Sequence, residues 1–371
     1  MSTLASDFRV SSHLHWRVKE HLRKQLKMNP SEQKTSSVLS RRSELLSHPF
    51  SSMNLAEFTE CFKREKQWLF ADARTSLLKA VPELAKSSSC CVLTTGSDGR
   101  GENFHTLSLM ELIFVIKEES EESLFIKDKL QKFVKQHPEL FFNFLEVQNL
   151  AEIHNQPSLK VGVTVSPLTQ QIAPSRPLDA AFVVGKRKVK QLYDEQFLSE
   201  LTLERLSEFY KKFVKPAFSV LSSFLESKNA QKFGVYNDHL LFNGKKMQPS
   251  KYLLLRPVQY TLDLLILKYI RLKVLPENFL TKNAQVDKRI RVLARLKLLP
   301  LDSKEKTSLE KAYLKALAWH LENHRLSHLS EAVPCAVINL KVDQREFDDC
   351  AESIYYMCNK LRKSAIVYEL L

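Results

Sequence analysis

The stretch Cys90–Glu102, which reads CCVLTTGSDGRGE, decides how the rest of the chain is understood. Its first six residues form a β-prone run that predicts a short strand ending at Gly96, with Cys90 and Cys91 as small buried residues. Gly96, Gly99 and Gly101 follow within six positions. The whole chain of 371 residues has only seven glycines, where average usage of about 7% would supply about 26. Glycine is therefore concentrated in one turn. A strand, a glycine-rich turn and a helix start together make an anion site. Gly96 lets the backbone approach a phosphate, the Ser97 hydroxyl can donate, and free N–H groups at the helix N-terminus face the ligand. Gly99 continues the turn, and Arg100 adds a forked donor suited to phosphate. Spacing alone also allows an ordinary strand-to-helix turn. A Walker loop is excluded, because no Gly-Lys-Ser/Thr follows.

Working outward, Glu111 to Lys117 (ELIFVIK) predicts a second strand and residues 122–136 a helix. Leu159 to Ser166 (LKVGVTVS) alternates cleanly and predicts a third strand, and Phe182 to Val184 adds a short one. Upstream, apolar residues recur at helical spacing over 55–86 (Phe58, Phe62, Trp68, Leu69, Leu77, Leu78, Val81), with Asn54 as N-cap. Downstream of Lys186 helical patterns cover 203–228, 250–273, 288–299, 303–328 and 346–369. Residues 1–50 are basic and Ser-rich, with nine Lys/Arg against four Asp/Glu and one helical stretch over 13–27. The expected fold class is α+β. A basic N-terminal arm (1–53) precedes an α/β domain with its leading helix (54–200), and an all-helical C-terminal domain (201–371) follows.

Lys and Arg outnumber Asp and Glu by 56 to 42, a net charge of +14. That excess suits an anionic partner, or equally a solvated positive surface. The six cysteines show neither CxxC nor Cys/His ligand spacing, which argues against zinc and fits a reducing compartment. The most apolar stretch, Tyr252 to Ile270, is interrupted by Arg256, Asp263 and Lys268, so it predicts a buried or amphipathic helix and no membrane span. No signal-peptide core is read at the N-terminus, and the expected location is cytoplasmic.

The order Gly96-Ser97, then Gly99-Arg100-x-Glu102, then Ser108 and the run Glu111 to Ile116 resembles the nucleotidyltransferase-fold signature. The most similar groups are the amino-terminal domain of protein-PII uridylyltransferases and the CBS-domain-associated nucleotidyltransferase-like proteins. Pro177 to Glu195 (PLDAAFVVGKRKVKQLYDE) resembles the family's Leu-Asp-Ala-Arg segment and the helix after it. Asn243 to Tyr269, Lys288 to Leu298 and His320 to Leu329 are similar to the helical carboxy-terminal domain of the CBS-associated group. The resemblance implies a small mixed sheet flanked by helices and transfer of a nucleoside monophosphate from an NTP, UTP or ATP, to a protein acceptor. It implies that Gly96, Ser97, Gly99 and Arg100 bind the nucleotide, and that Glu111 is catalytic and the surviving ligand of Mg²⁺.

The metal chemistry departs from that pattern. Aligned on Ser108, the family's two aspartates become Leu109 and Glu111, and no acid lies on either face of Leu159 to Ser166. Magnesium takes near-octahedral oxygen ligation with at least one or two carboxylates. Either Glu111 with a displaced acid such as Asp98 or Glu102 still holds one ion, or the chain is a degenerate transferase, a pseudoenzyme that keeps the fold and anion binding. The second reading is preferred, since losing ligating oxygens removes the metal's charge stabilisation directly. Two other classes stay open: a non-catalytic regulatory or adaptor protein that binds a partner through its helical half, and, ranked below it, a basic nucleic-acid-binding protein. His320, His324 and His328 fall on one helical face but read as a polar interfacial stripe. The basic run Lys186 to Lys190 and the helix face with Lys288, Arg291 and Arg295 read as solvated, with the first placed where it could help bind triphosphate.

Overall fold

A computed structural model of the protein describes residues 44–45, 50, 53–102, 110–137, 141–155, 164–165, 172–173, 176–199, 201–226, 240–242, 245–247, 250–329 and 344–365. The helix expected over 13–27, most of the Ser-rich arm, His105, Ser108 and Leu109 lie outside the described residues.

The leading helix α1 (Leu55–Ala80) starts at a capping box: the Asn54 side chain accepts from the Glu57 backbone, and the Glu57 side chain accepts from that of Asn54. It ends at Val81, because a residue that precedes proline avoids the helical region. After the short α2 (Glu83–Lys86), the chain runs through β1 (Cys90–Thr94), α3 (Gly96–Arg100), β2 (Met110–Ile116), α4 (Glu121–Gln136) and β3 (Phe141–Asn149). A two-stranded ladder, β4 (Thr164–Val165) with β5 (Ile172–Ala173), comes next. Then follow α5 (Arg176–Asp179), β6 (Ala181–Gly185) and α6 (Arg187–Ser199).

The main sheet has the order β3-β2-β1-β6 and is mixed. Strand β1 pairs antiparallel with both β2 and β6, while β2 and β3 are parallel. The parallel pair requires a crossover, which α4 supplies. The central strand β1 is buried along its whole length because both faces are covered. On one face Cys90, Val92, Leu112 and Phe114 pack against Leu77 of α1 and Ile126, Leu130 and Val134 of α4. On the other, Cys91, Leu93, Ile113 and Val115 pack with Val189 and Tyr193 of α6. The CCVL run is apolar at every position for that reason.

Among the described residues beyond α6 the chain is almost wholly helical. It comprises α7 (Leu203–Phe209), a π-helical turn over Tyr210–Val214, α8 (Lys215–Glu226), a second π turn over Ser250–Leu255, α9 (Arg256–Arg271), α10 (Phe279–Lys282), α11 (Val286–Arg295), α12 (Ser303–Leu329) and α13 (Gln344–Ala365). A small ladder, β7 (Leu240–Phe242) with β8 (Lys245–Met247), lies between α8 and the second π turn. The fold is therefore α+β with a helical C-terminal region, as the sequence predicts. Phe58 and Phe62 of α1, with Leu178 and Phe197, belong to the core of the helical half, so α1 contributes to both layers of packing.

Among the described residues no helix is long and apolar enough to cross a membrane. The charges that interrupt α9 are accommodated inside the protein: Asp263 pairs with Arg289, and Lys268 donates to the Ser364 carbonyl.

One strand expectation needs correction. The neighbour of β2 is β3, at 141–149, not Leu159 to Ser166. Of the latter segment only Thr164 and Val165 are described, and they pair with β5 outside the main sheet. The pattern Leu145-Glu146-Val147-Gln148 does alternate, and Val147 turns toward the packed face. The mixed Phe/Asn start of β3 hides that signal.

Candidate functional site

The end of β1 and the start of β2 lie side by side. The Thr95 amide donates to the Glu111 carbonyl at 3.3 Å, and the Thr94 hydroxyl donates to the same oxygen at 3.0 Å. Gly96 then turns the chain with φ +66°, a left-handed conformation that favours glycine. A Cβ on Gly96 would sit 3.2 Å from Oε2 of Glu111, so that carboxylate lies directly against the turn. Gly96 and Ser97 are the half-exposed members of α3, and the Ser97 hydroxyl has no hydrogen bond to a described residue. The structure thus sets Glu111 against Gly96, the residue before Ser97.

Behind them lies Asp98, which is 2% exposed, and its Oδ1 has no hydrogen-bond partner. Burial, with the nearby Glu111 carboxylate adding to it, holds the Asp98 carboxyl well above the usual range, and Arg100 only partly opposes this. The folded state therefore binds this proton more tightly than the unfolded chain does. Asp98 favours folding at pH below its ordinary value of 3.8, and that contribution is lost as pH rises through the raised folded pKa. Asp98→Asn should flatten the fall of stability as pH rises above 3.8, read from urea midpoints. A variant with the wild-type pH slope would contradict this.

Gly99 and Arg100 take other roles than phosphate contact. Gly99 is buried where α3 meets α5: a Cβ there would lie 1.8 Å from the Asp179 carbonyl oxygen. Arg100, expected at the phosphate, turns inward and is 4% exposed. Its Nε donates to Glu102 at 2.7 Å and its NH1 donates to Asp179 at 2.6 Å. The physical reason is burial: a guanidinium inside the protein needs carboxylates, and two buried ones are within reach. Gln259 donates to the other Asp179 oxygen at 3.3 Å, Arg256 lies 3.8 Å from Glu102, and the Tyr313 hydroxyl lies 3.5 Å from it. Burial pushes the Glu102 carboxyl up, but Arg100 and Arg256 outweigh that and hold it below the ordinary range.

One further basic residue is reassigned. Lys190, the last residue of the basic run, is fully buried and paired with Asp194, so it cannot reach a ligand. Arg289 of α11 is also fully buried, bound to Asp263 and to the carbonyls of Leu178 and Asn283. Of the basic face expected on that helix, Arg291 pairs with Asp287. His320 is buried in α12, in keeping with an interfacial role. Cys61, Cys90, Cys91, Cys350 and Cys358 are buried.

Glu146 is the acid that sequence reasoning missed. It pairs in register with Ile113 on β3, so it shares the sheet face of Glu111. It is 6% exposed and accepts from Gln148. Among the described residues no group of three His, Cys, Asp or Glu side chains is placed to hold a metal ion. Glu111 against Gly96 and the buried Asp98, whose carboxyl groups repel each other, supply two carboxylates, within the one or two that Mg²⁺ takes together with substrate phosphates. No family model matches the chain, and no curated protein matches it.

Proposed function

We propose that the chain is a nucleotidyltransferase-like protein of the PII-uridylyltransferase type. In this reading it binds an NTP at the Gly96-Ser97 turn and has weakened or lost metal-dependent transfer of NMP to a protein acceptor. The observation that carries the reading is the contact of the Glu111 carboxylate with Gly96. A second fact supports it: the three sequence stretches that carry the resemblance meet in one buried cluster, Arg100 and Glu102 from the first, Asp179 from the second, Arg256 and Gln259 from the third.

Chemically, the turn offers a backbone cradle and one hydroxyl to a phosphate. Glu111 beside it repels a bare triphosphate unless a cation lies between them. This makes Glu111→Gln diagnostic. In the degenerate reading, ATP or UTP raises Tm without added Mg²⁺, and Glu111→Gln leaves that shift equal or larger. Ser97→Ala weakens binding by about 2–10-fold, the loss of one hydrogen bond. If Mg²⁺ is required for the shift and Glu111→Gln abolishes it, the chain retains a working metal ligand. If no nucleotide shifts Tm, or Ser97→Ala leaves the shift unchanged, the site assignment fails and the regulatory or adaptor reading replaces it.

A further inference from the structure

A second cavity, of about 430 Å³, lies beside β6, an edge strand of the main sheet, and none of Gly96, Ser97 or Glu111 lines it. Its volume falls in the range of small-molecule sites, about 300–1,000 Å³. The walls come from four separate parts of the chain: Phe70 of α1, Phe182 of β6, Arg187 at the start of α6, and Lys282, Gln285 and Lys288 around α10 and α11. Three of these side chains are cationic, and among the described residues no Asp or Glu lines the cavity.

The three cations that line the cavity are not neutralised by a neighbouring carboxylate, unlike several other lysines of the molecule. Lys63, Lys66, Lys129, Lys212, Lys273, Lys315 and Lys360 each pair with a carboxylate. Among the described residues Arg187, Lys282 and Lys288 have no such partner. The nearest acid along the chain, Asp287, is already bound to Lys66 and Arg291. Lys288 donates one proton to the Lys282 carbonyl at 2.6 Å, which ties its stem to the cavity rim and leaves two N–H groups. The Arg187 guanidinium lies 4.7 Å from the centre of the Phe182 ring, so it is held against the wall by a cation–π contact.

Charge and shape together select the ligand. Three lining cations call for about two negative charges; a phosphomonoester carries about −1.5 to −2 at pH 7, whereas one carboxylate supplies only one. Arg187 presents the forked donor that phosphate accepts, and the lysines add point charges. Phe70 and Phe182 supply apolar walls suited to a flat ring, and the Gln285 amide adds a donor and an acceptor for its edge. We propose that this cavity binds a small organic phosphomonoester with a planar ring, at a site separate from the Gly96 turn.

The test is calorimetric titration of the full chain with AMP, adenosine and inorganic phosphate. AMP should bind at least about tenfold more tightly than either adenosine or phosphate. Arg187→Gln and the double variant Lys282→Gln/Lys288→Gln should each weaken AMP by about tenfold or more, with an unchanged circular dichroism spectrum because all three side chains are exposed. Phe182→Leu should weaken AMP and leave phosphate unaffected. Ser97→Ala should leave AMP affinity unchanged. The proposal is overturned if AMP does not bind, if the cationic variants bind it normally, or if phosphate binds as well as AMP. Loss of AMP binding in Ser97→Ala alone would also overturn it, while leaving the reading of the Gly96 turn intact.

Discussion

Gly99→Ala should destabilise the protein by about 3 kcal/mol or more, the result expected when a side chain is forced into main-chain atoms. The new Cβ would lie 1.8 Å from the Asp179 carbonyl oxygen and 2.8 Å from that of Thr94. Neither oxygen can rotate away as a side chain would, so α3 and α5 must separate. That separation also pulls Asp179 from Arg100. Urea unfolding of the variant would show a lowered midpoint, or no folded baseline at all. A loss below about 1 kcal/mol would mean that α3 does not seat on α5 as described. The effect differs from that of a change at Ser97, whose half-exposed side chain can be altered without touching the core.

Arg100→Met should cost about 3–5 kcal/mol, because it leaves Glu102 and Asp179 buried without their shared cation. The two carboxylates are 1% and 5% exposed. Removing one partner of a buried pair costs more than the pair contributes, since the remaining charge keeps its full desolvation penalty. The origin of the loss can be checked by pH. Wild-type Glu102 is held below its ordinary range by Arg100, so the stability gap between Arg100→Met and wild type should narrow as pH falls and Glu102 is protonated. The triple variant Arg100→Met/Glu102→Gln/Asp179→Asn should recover a large part of the loss at neutral pH. A gap that is flat with pH, or a triple variant no better than the single one, would point to lost packing in place of stranded charge. Lys63→Met provides the contrast: its partner Glu60 is at the surface, where screening leaves an ion pair little weight.

Much of the local structure was legible in the residues themselves. The period change around Cys90 marks the passage from helix to sheet, and Asn54 with Glu57 marks the start of α1. The strands at Cys90, Glu111 and Phe182 and the main helices of the second half follow from apolar spacing. These features depend on neighbours within a few positions, which a sequence displays directly. The place of Glu111 beside Gly96 was suggested only by the resemblance; the antiparallel pairing of β1 with β2 that puts it there is a feature of the fold.

The less legible features depend on distant partners. Arg100 looks like a phosphate donor until Asp179, 79 residues away, is folded beside it. Lys190 reads as part of an exposed basic run, yet the helical turn that carries it faces the sheet and pairs it with Asp194. Glu146 lies on a strand reached by a crossover, so its place beside the Glu111 face depends on parallel register and not on local pattern. The clean alternation of Leu159 to Ser166 misled for the same reason: alternation states which side is apolar, not which strand is the neighbour.

What the sequence alone determined is the strand–turn–helix at Cys90 to Arg100, its concentration of glycine, and the helical character of the second half. The tertiary structure decided which charges face inward, that Asp98 is buried behind Glu111 without a partner for one oxygen, and that four separated segments enclose a cationic cavity beside β6. The physical reason is that backbone conformation follows local sterics and apolar period, whereas the state of a charged side chain follows from what is buried with it.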